Sequence, residues 1–199
     1  MQIYYMKKEK ISIPVSTVIL MIVTITYKLV LVVIGIGIAI FGRGFLHKYL
    51  EGILPVFYLG LMLNIFCVTF MTILVFHPLL AKAILMKGMK LLERFHLMRK
   101  KEGRLKKLEA SMDTYRNTAA YLKNNPFVIV KVIGITFIQR MALFAVTWFV
   151  YQAFGLHGTG FWEILFLQAV ISVSVDMLPL PGGMGISETL FLNIFSPVF

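Results

Sequence analysis

The sequence predicts an all-α fold: a polytopic transmembrane helix bundle with one Pro/Gly-broken, re-entrant helix pair and a basic amphipathic helical segment in the cytosol. Of its 199 residues, 59% are hydrophobic, and the mean hydropathy is +0.84. Long apolar runs with few charges are typical of helical membrane proteins. The single cysteine, Cys67, lies inside such a run, so it forms no internal disulfide and provides no metal framework.

The apolar runs are predicted to form one integral membrane domain over 1–199. Their approximate bounds are 13–42, 53–76, 127–154, 161–177 and a partial span at 186–199. The first would measure roughly 45 Å as one helix. Because the hydrocarbon core is about 30 Å thick, this run must tilt or break near Gly35 and Gly37. The fourth would measure roughly 26 Å, so it either just crosses the membrane or is a re-entrant half-helix.

Basic residues set the predicted orientation. The segment 77–125 holds 12 of the 20 Lys and Arg residues and four acidic ones, so the positive-inside rule places it in the cytoplasm. The N-terminal tail carries Lys7, Lys8 and Lys10 and is predicted to be cytoplasmic too. Two spans separate these segments, so the two assignments agree for a multi-pass protein of the cell membrane.

The basic segment also carries an apolar stripe. Its members recur at spacings of 3, 4 or 7 and are Leu91, Phe95, Met98, Leu105, Leu108, Met112, Tyr115, Ala119 and Leu122. This pattern predicts a helix or a helical hairpin bent near Gly103. Two interpretations stay open: the stripe packs on the ends of the spans, or the segment binds lipid headgroups directly. The net charge of +11 lies beside the spans, which favours anionic phospholipids over nucleic acid as the partner.

Three spans carry a strongly polar residue near the middle: Lys28, Asn64 and Arg140. A Lys or Arg at this depth costs roughly 2.5–3.5 kcal/mol on insertion scales, so these side chains should face the bundle interior or a wet cavity. For Arg140, one interpretation is an ion pair with Asp176 or Glu188. The other is contact with a lipid phosphate, which the guanidinium binds through two hydrogen bonds.

Two further charges lie beside predicted helix ends. Asp176 ends its helix, where the dipole disfavours a carboxylate, so a cation must offset it: Arg140, Lys28 or a cationic group of a substrate. Lys28 itself either snorkels along a tilted span or lines a cavity. Glu188 lies in a first helical turn, where a carboxylate is favoured, and it either caps that helix or contacts a ligand.

The segment 178–188 reads Leu-Pro-Leu-Pro-Gly-Gly-Met-Gly-Ile-Ser-Glu. Its prolines cannot continue a helix, and its glycines allow sharp turns. In hydrocarbon, such a break survives only when it is buried in protein or faces a watery cavity. A helix restarting near Ile186 would direct its free N–H groups at the glycines and form an anion site. The glycines of this predicted site are Gly182, Gly183 and Gly185.

The motif at 179–188 resembles the P-x-P-G-G-x-G-x-x-E signature of the lysylphosphatidylglycerol synthase transmembrane family, also described as flippase-like integral membrane proteins. The layout of helices and basic segment is similar too. The resemblance implies a flippase-like protein that handles anionic or aminoacylated phospholipid in a bacterial membrane, without a cofactor. Arg140 and the loop amides would hold the phosphate, and Asp176 or Glu188 would attract a substrate ammonium. The expected headgroup-binding residues are Lys28, Arg140, Asp176, Gly182, Gly183, Gly185 and Glu188.

Two alternatives stay open at the level of sequence. Family members are usually longer, so the chain is expected to be a fragment or a shortened product. It would then be the membrane portion of a phosphatidylglycerol lysyltransferase whose soluble domain is not among these residues, or a non-transporting scaffold.

No catalytic residue is predicted, and the histidines lack metal-ligand spacing, so no metal site is predicted. Homo-oligomerisation is left open.

Overall fold

The computed structural model describes residues 2–42, 44, 52–77, 80, 82–84, 86–87, 104–177, 185–196 and 198, with the backbone alone for 104–110. These residues contain helices and no strand, which confirms the all-α prediction. The helices are α1 (Gln2–Lys8), α2 (Ile13–Phe41), α3 (Leu54–Phe76), α4 (Arg104–Asn124), α5 (Pro126–Ala153), α6 (Phe161–Val175) and α7 (Ile186–Phe195).

Three of these helices, α2, α3 and α5, are long and apolar enough to cross a membrane, at 29, 23 and 28 residues. The helices α6 and α7 have 15 and 10 residues. At roughly 22 and 15 Å, each is shorter than the ~30 Å hydrocarbon core. They pack against each other. This arrangement is that of a helical membrane bundle; the assignment of 1–199 to one domain stays a prediction.

The break predicted near Gly35 and Gly37 is wrong, because α2 is one continuous helix through both residues. Packing explains Gly35 instead. A Cβ at this position would lie 2.8 Å from the Leu61 side chain and 3.4 Å from that of Val173. The absence of a side chain therefore lets α2 lie close to α3 and α6, and tilting remains the way for α2 to fit the bilayer.

A boundary between two helices lies at 124–126. The helix α4 ends at Asn124, and α5 begins at Pro126, in the first turn where proline loses no helical hydrogen bond. The Asn125 side chain donates a hydrogen bond to the carbonyl of Tyr121 at 2.8 Å. That bond satisfies one of the free carbonyls at the end of α4.

The chain divides into two compact units. Unit 1 comprises Met1–Ile25 and Thr69–Lys131, and unit 2 comprises Thr26–Val68 and Val132–Phe199. The helices α2, α3 and α5 each contribute residues to both units. Both segments predicted to be cytoplasmic, 1–12 and 77–125, belong to unit 1.

The core of unit 1 is an apolar seam between α4 and parts of α2 and α3. The buried face of α4 repeats at helical spacing and consists of Met112, Tyr115, Ala119 and Leu122. It packs against Val18 and Ile22 of α2 and Val75 of α3. The stripe is therefore confirmed in this part of the segment as a surface that packs on the spans. Its predicted continuation over 91–98 and the bend at Gly103 lie outside the described residues.

Candidate functional site

Unit 2 buries a cluster of polar and charged side chains around Asp176, the C-terminal cap of α6. One carboxylate oxygen accepts a hydrogen bond from Lys28 Nζ at 2.5 Å, and the other accepts one from Tyr27 Oη at 2.6 Å. The Lys28 and Asp176 side chains are only 8% and 14% exposed. A carboxylate at a helix C-terminus opposes the dipole, and Lys28 supplies the cation that the sequence analysis required there.

Lys28 thus lies inside unit 2 and does not snorkel. It occupies the middle of α2, and the whole residue is 6% exposed. Removing either partner of a buried ion pair leaves an isolated charge, which is strongly destabilising. The structure therefore excludes the snorkelling interpretation of Lys28 and gives it an ion-pair partner inside unit 2; that Lys28 lines a cavity stays a prediction.

Arg140 is not paired with Asp176 or Glu188, so that interpretation is wrong. Its guanidinium carbon lies 3.8 Å from the centre of the Tyr27 ring, a distance at which cation and π system attract each other. Lys28 and Tyr27 already occupy both oxygens of Asp176. The choice between two cations for one carboxylate depends on the packing of helices that are far apart in sequence.

The cluster carries an excess positive charge. Lys28 and Arg140 are two cations, and Asp176 is the anion that the described residues place against Lys28. Within the described part of the chain, the buried Arg140 Nε has no hydrogen-bond partner. Buried donors are normally satisfied, and Arg140, a partly exposed residue, has one that is not satisfied among the described residues. The site therefore favours an additional anion beside Arg140.

Two more buried polar atoms of unit 2 have no partner among the described residues. They are Oδ1 of Asn64 and Oε1 of Gln168. Both are acceptors, so they suit a water or a donor group of a ligand. Sequence reasoning missed Gln168, although a glutamine within the apolar run 161–177 is the same kind of signal as Asn64.

Asn64 positions the end of α6 that carries Asp176. It is fully buried, and its Nδ2 donates to the carbonyls of Gly60 at 2.9 Å and Val173 at 3.2 Å. The Val173 carbonyl lies in the last turn of α6, where helical partners run out. Gly60 makes this approach feasible, because a Cβ there would lie 2.5 Å from the Val173 oxygen. Sequence reasoning identified Asn64 as a buried polar residue but missed Gly60 and Tyr27.

The start of α7 is built as a helix cap. The helix begins at Ile186, as predicted, after Gly185 with φ of +86°, a left-handed conformation that favours glycine. The carboxylate of Glu188 accepts hydrogen bonds from the Gly185 N–H at 2.6 Å and from Ser187 Oγ at 2.9 Å. Glu188 is exposed and acts as a capping residue here, the first of its two interpretations. Gly182 and Gly183 lie outside the described residues, so the glycine anion site stays a prediction.

These features define a class of protein: an integral membrane protein of helical fold that buries ionised side chains among its spans. The family model described as the lysylphosphatidylglycerol synthase TM region matches residues 1–198, and the chain belongs to this family. The resemblance noted from the motif is thereby confirmed. No curated protein matches the chain, and no solved structure matches it.

Proposed function

We propose that this chain is a flippase-like protein that carries the headgroup of an anionic or aminoacylated phospholipid through unit 2, with Arg140 binding the phosphate. The observation that carries the proposal is the excess cation. Arg140 is held at the middle of a span by the Tyr27 ring, and among the described residues no carboxylate neutralises it. Charged residues inside membrane spans commonly mark the path of a substrate.

The contact with the Tyr27 ring leaves Arg140 able to bind a phosphate. A guanidinium that lies on an aromatic ring uses its face, while its N–H donors point outward in its own plane. A phosphate accepts two of those donors in parallel. The ion pair between Lys28 and Asp176 supports this arrangement, because it prevents Asp176 from neutralising Arg140.

The pair also offers a site for an aminoacylated lipid. Asp176 is the carboxylate of the cluster, so it is the group that would attract a substrate ammonium while the phosphate stays on Arg140. Glu188 is less suitable for this role, because its carboxylate already accepts the bonds that cap α7. We further propose that the N-terminus and 77–125 face the cytoplasm, since basic residues concentrate there.

The test is headgroup translocation by purified protein in vesicles that contain fluorescent phosphatidylglycerol. The variant Arg140→Gln removes the charge and retains a polar side chain of similar length. Charged hydrogen bonds contribute about 1.5–3 kcal/mol, so we expect the rate to fall by roughly tenfold or more. Arg140→Lys should recover only part of the rate, because an ammonium cannot form the two parallel bonds.

A matched control lies on the same helix. Lys131 of α5 is exposed, and its ammonium lies 4.8 Å from the centre of the Phe127 ring. Lys131→Gln removes the same charge from the same span without touching the cluster, so transport should be unchanged. If Arg140→Gln transports as well as Lys131→Gln, Arg140 has no part in the mechanism, and the scaffold alternative becomes the better account.

A further inference from the structure

A groove in unit 2 is not used by the headgroup site described above. It lies between α2, α5 and α6 and encloses about 510 Å³, within the range of roughly 300–1,000 Å³ that holds small ligands. The described residues that line it are apolar apart from Glu163, whose carboxylate accepts the Gly160 N–H at 3.1 Å. Among the residues that line it are Ile34, Gly37, Phe137, Phe144, Trp162 and Ala169.

The groove has a buried floor and an open rim. Phe144 and Ala169 on the floor are each 2% exposed. Phe137 and Trp162 on the rim are 45% and 63% exposed. At Gly37, an added Cβ would meet no atom within 4 Å. A molecule in the surrounding bilayer can therefore enter the apolar groove from the side.

The groove and the ion cluster lie on the same faces of their helices. Tyr27 precedes the groove residue Ile34 by seven positions on α2, and Asp176 follows Ala169 by seven positions at the end of α6. Seven residues complete almost two helical turns and advance about 10 Å. Arg140 lies within the stretch of α5 that lines the groove. The charged cluster therefore lies next to the apolar groove along these helices. A lipid can place its charged headgroup in the cluster and an acyl chain in the groove.

We propose that the groove holds one acyl chain of the phospholipid whose phosphate binds Arg140, an inference that rests on the proposed function. A polar occupant would leave its groups unpaired against the apolar wall, whereas an acyl chain has none. The excess cation of the cluster attracts an anionic headgroup, and that headgroup places its own acyl chain at the groove. The site therefore recognises an anionic two-part ligand, with charge at one end and hydrocarbon at the other.

Trp162 provides a direct probe of groove occupancy. These 199 residues contain two tryptophans, and Trp148→Phe leaves Trp162 as the sole tryptophan among them. Vesicles of phosphatidylcholine are prepared with small fractions of phosphatidylglycerol that carries bromine in its acyl chains, since bromine quenches tryptophan on contact. We expect quenching that saturates at a low fraction of the brominated lipid and exceeds, several-fold, the quenching by brominated phosphatidylcholine.

A second substitution tests the groove itself. In the Trp148→Phe background, the Gly37→Leu side chain fills the groove and should remove most of the saturable quenching. Gly134→Leu is the matched control, because Gly134 is also a span glycine with open space around its Cβ and does not line the groove. The comparison of brominated phosphatidylglycerol with brominated phosphatidylcholine needs no substitution in the groove. It therefore tests the inference even if Gly37→Leu fails to fold.

Three outcomes would overturn the inference. Quenching that rises linearly with brominated lipid, equally for both headgroups, means that Trp162 contacts only bulk lipid. An absence of quenching means that protein covers the groove. Saturable quenching with no headgroup preference means that the acyl chain is not that of the lipid bound to Arg140. The proposed function is tested by a separate measurement. Normal transport by Arg140→Gln would contradict it, and Trp162 quenching does not measure transport.

Discussion

The two units share the apolar helices α2, α3 and α5, yet their interiors differ in chemistry. The interior of unit 1 is an apolar seam, and within its described part the Tyr115 hydroxyl donates to the Leu74 carbonyl at 3.0 Å. Unit 2 contains an ion pair, a guanidinium in contact with an aromatic ring, and buried polar atoms without partners among the described residues. One helix, α2, supplies Val18 to the first and Lys28 to the second.

The difference assigns separate roles to the two units. An apolar seam with its polar group satisfied needs nothing further to be stable. The described residues of the cluster hold two cations and one anion, and one buried donor of Arg140 has no partner among them, so the cluster favours another molecule that completes it. We therefore expect substitutions in unit 1 to change stability alone and substitutions in the cluster to change transport as well.

The largest expected effect is that of Asp176→Asn. This change removes the anion and leaves the buried Lys28 ammonium without its partner. Breaking a buried ion pair in this way costs roughly 3–5 kcal/mol. Unfolding in detergent, followed by circular dichroism, should show a large loss of stability.

The double variant Lys28→Met with Asp176→Leu distinguishes the effect of losing the ion pair from the effect of leaving one buried charge without a partner. Replacing both ions by apolar residues of similar size is often neutral or stabilising, so this protein should be more stable than Asp176→Asn. Equal stabilities of the two proteins would mean that the pair does not hold unit 2 together.

A smaller effect is expected at Gly60, which sets the distance between α3 and α6. In Gly60→Ala the new Cβ meets backbone atoms of Val173 and Ser174 at 2.5 and 2.7 Å, and backbone cannot move aside cheaply. Overpacking of this kind costs about 1–3 kcal/mol. Because these atoms precede Asp176, transport should fall too. Gly134→Ala, where a Cβ has open space, should leave both stability and transport unchanged.

The smallest effect is expected in the seam of unit 1. Tyr115→Phe removes the hydrogen bond to Leu74, which contributes about 1 kcal/mol, and should leave transport unchanged. Tyr121→Phe, at an exposed tyrosine of α4, is the control and should change neither property. A loss of transport in Tyr115→Phe would contradict the separation of roles between the units.

Tyr115 also predicts a dependence on pH. Burial raises the pKa of its phenol above the ordinary value of about 10. The folded protein keeps this proton at a pH where the unfolded chain releases it. The stability that Tyr115 contributes is therefore complete below pH ~10 and is lost as pH rises above it. Unfolding measured at neutral pH and above pH ~10 should show a smaller alkaline loss in Tyr115→Phe than in the parent protein.

Much of the fold followed from the sequence, because continuous apolar runs bounded by charges and prolines mark spans directly. The charges of the site were visible for the same reason: Lys28, Arg140 and Asp176 are conspicuous in apolar surroundings. Their partners were not visible. Lys28 and Asp176 are 148 positions apart. Lys28 or Arg140 could equally have supplied the positive charge that offsets Asp176, so only helix packing decides which of them pairs with it.

Residues of ordinary type in apolar runs were harder to recognise. Tyrosine occurs commonly at span interfaces, so nothing distinguished Tyr27 from the others before its contacts with Asp176 and Arg140 were known. Gly35 suggested a break because glycine is a poor helix former, but in a membrane bundle small residues also let helices approach closely. Local propensity cannot separate these two uses of glycine, since the difference lies on the neighbouring helix.

The most direct test of the central claim, that the excess cation of unit 2 receives an anionic headgroup, is the headgroup selectivity of transport. The rate for phosphatidylglycerol is divided by the rate for phosphatidylcholine in the same vesicles, for the parent protein and for Arg140→Gln. We expect a ratio well above one in the parent and a ratio near one in Arg140→Gln, with similar unfolding temperatures. An equally high ratio in both proteins would contradict the account.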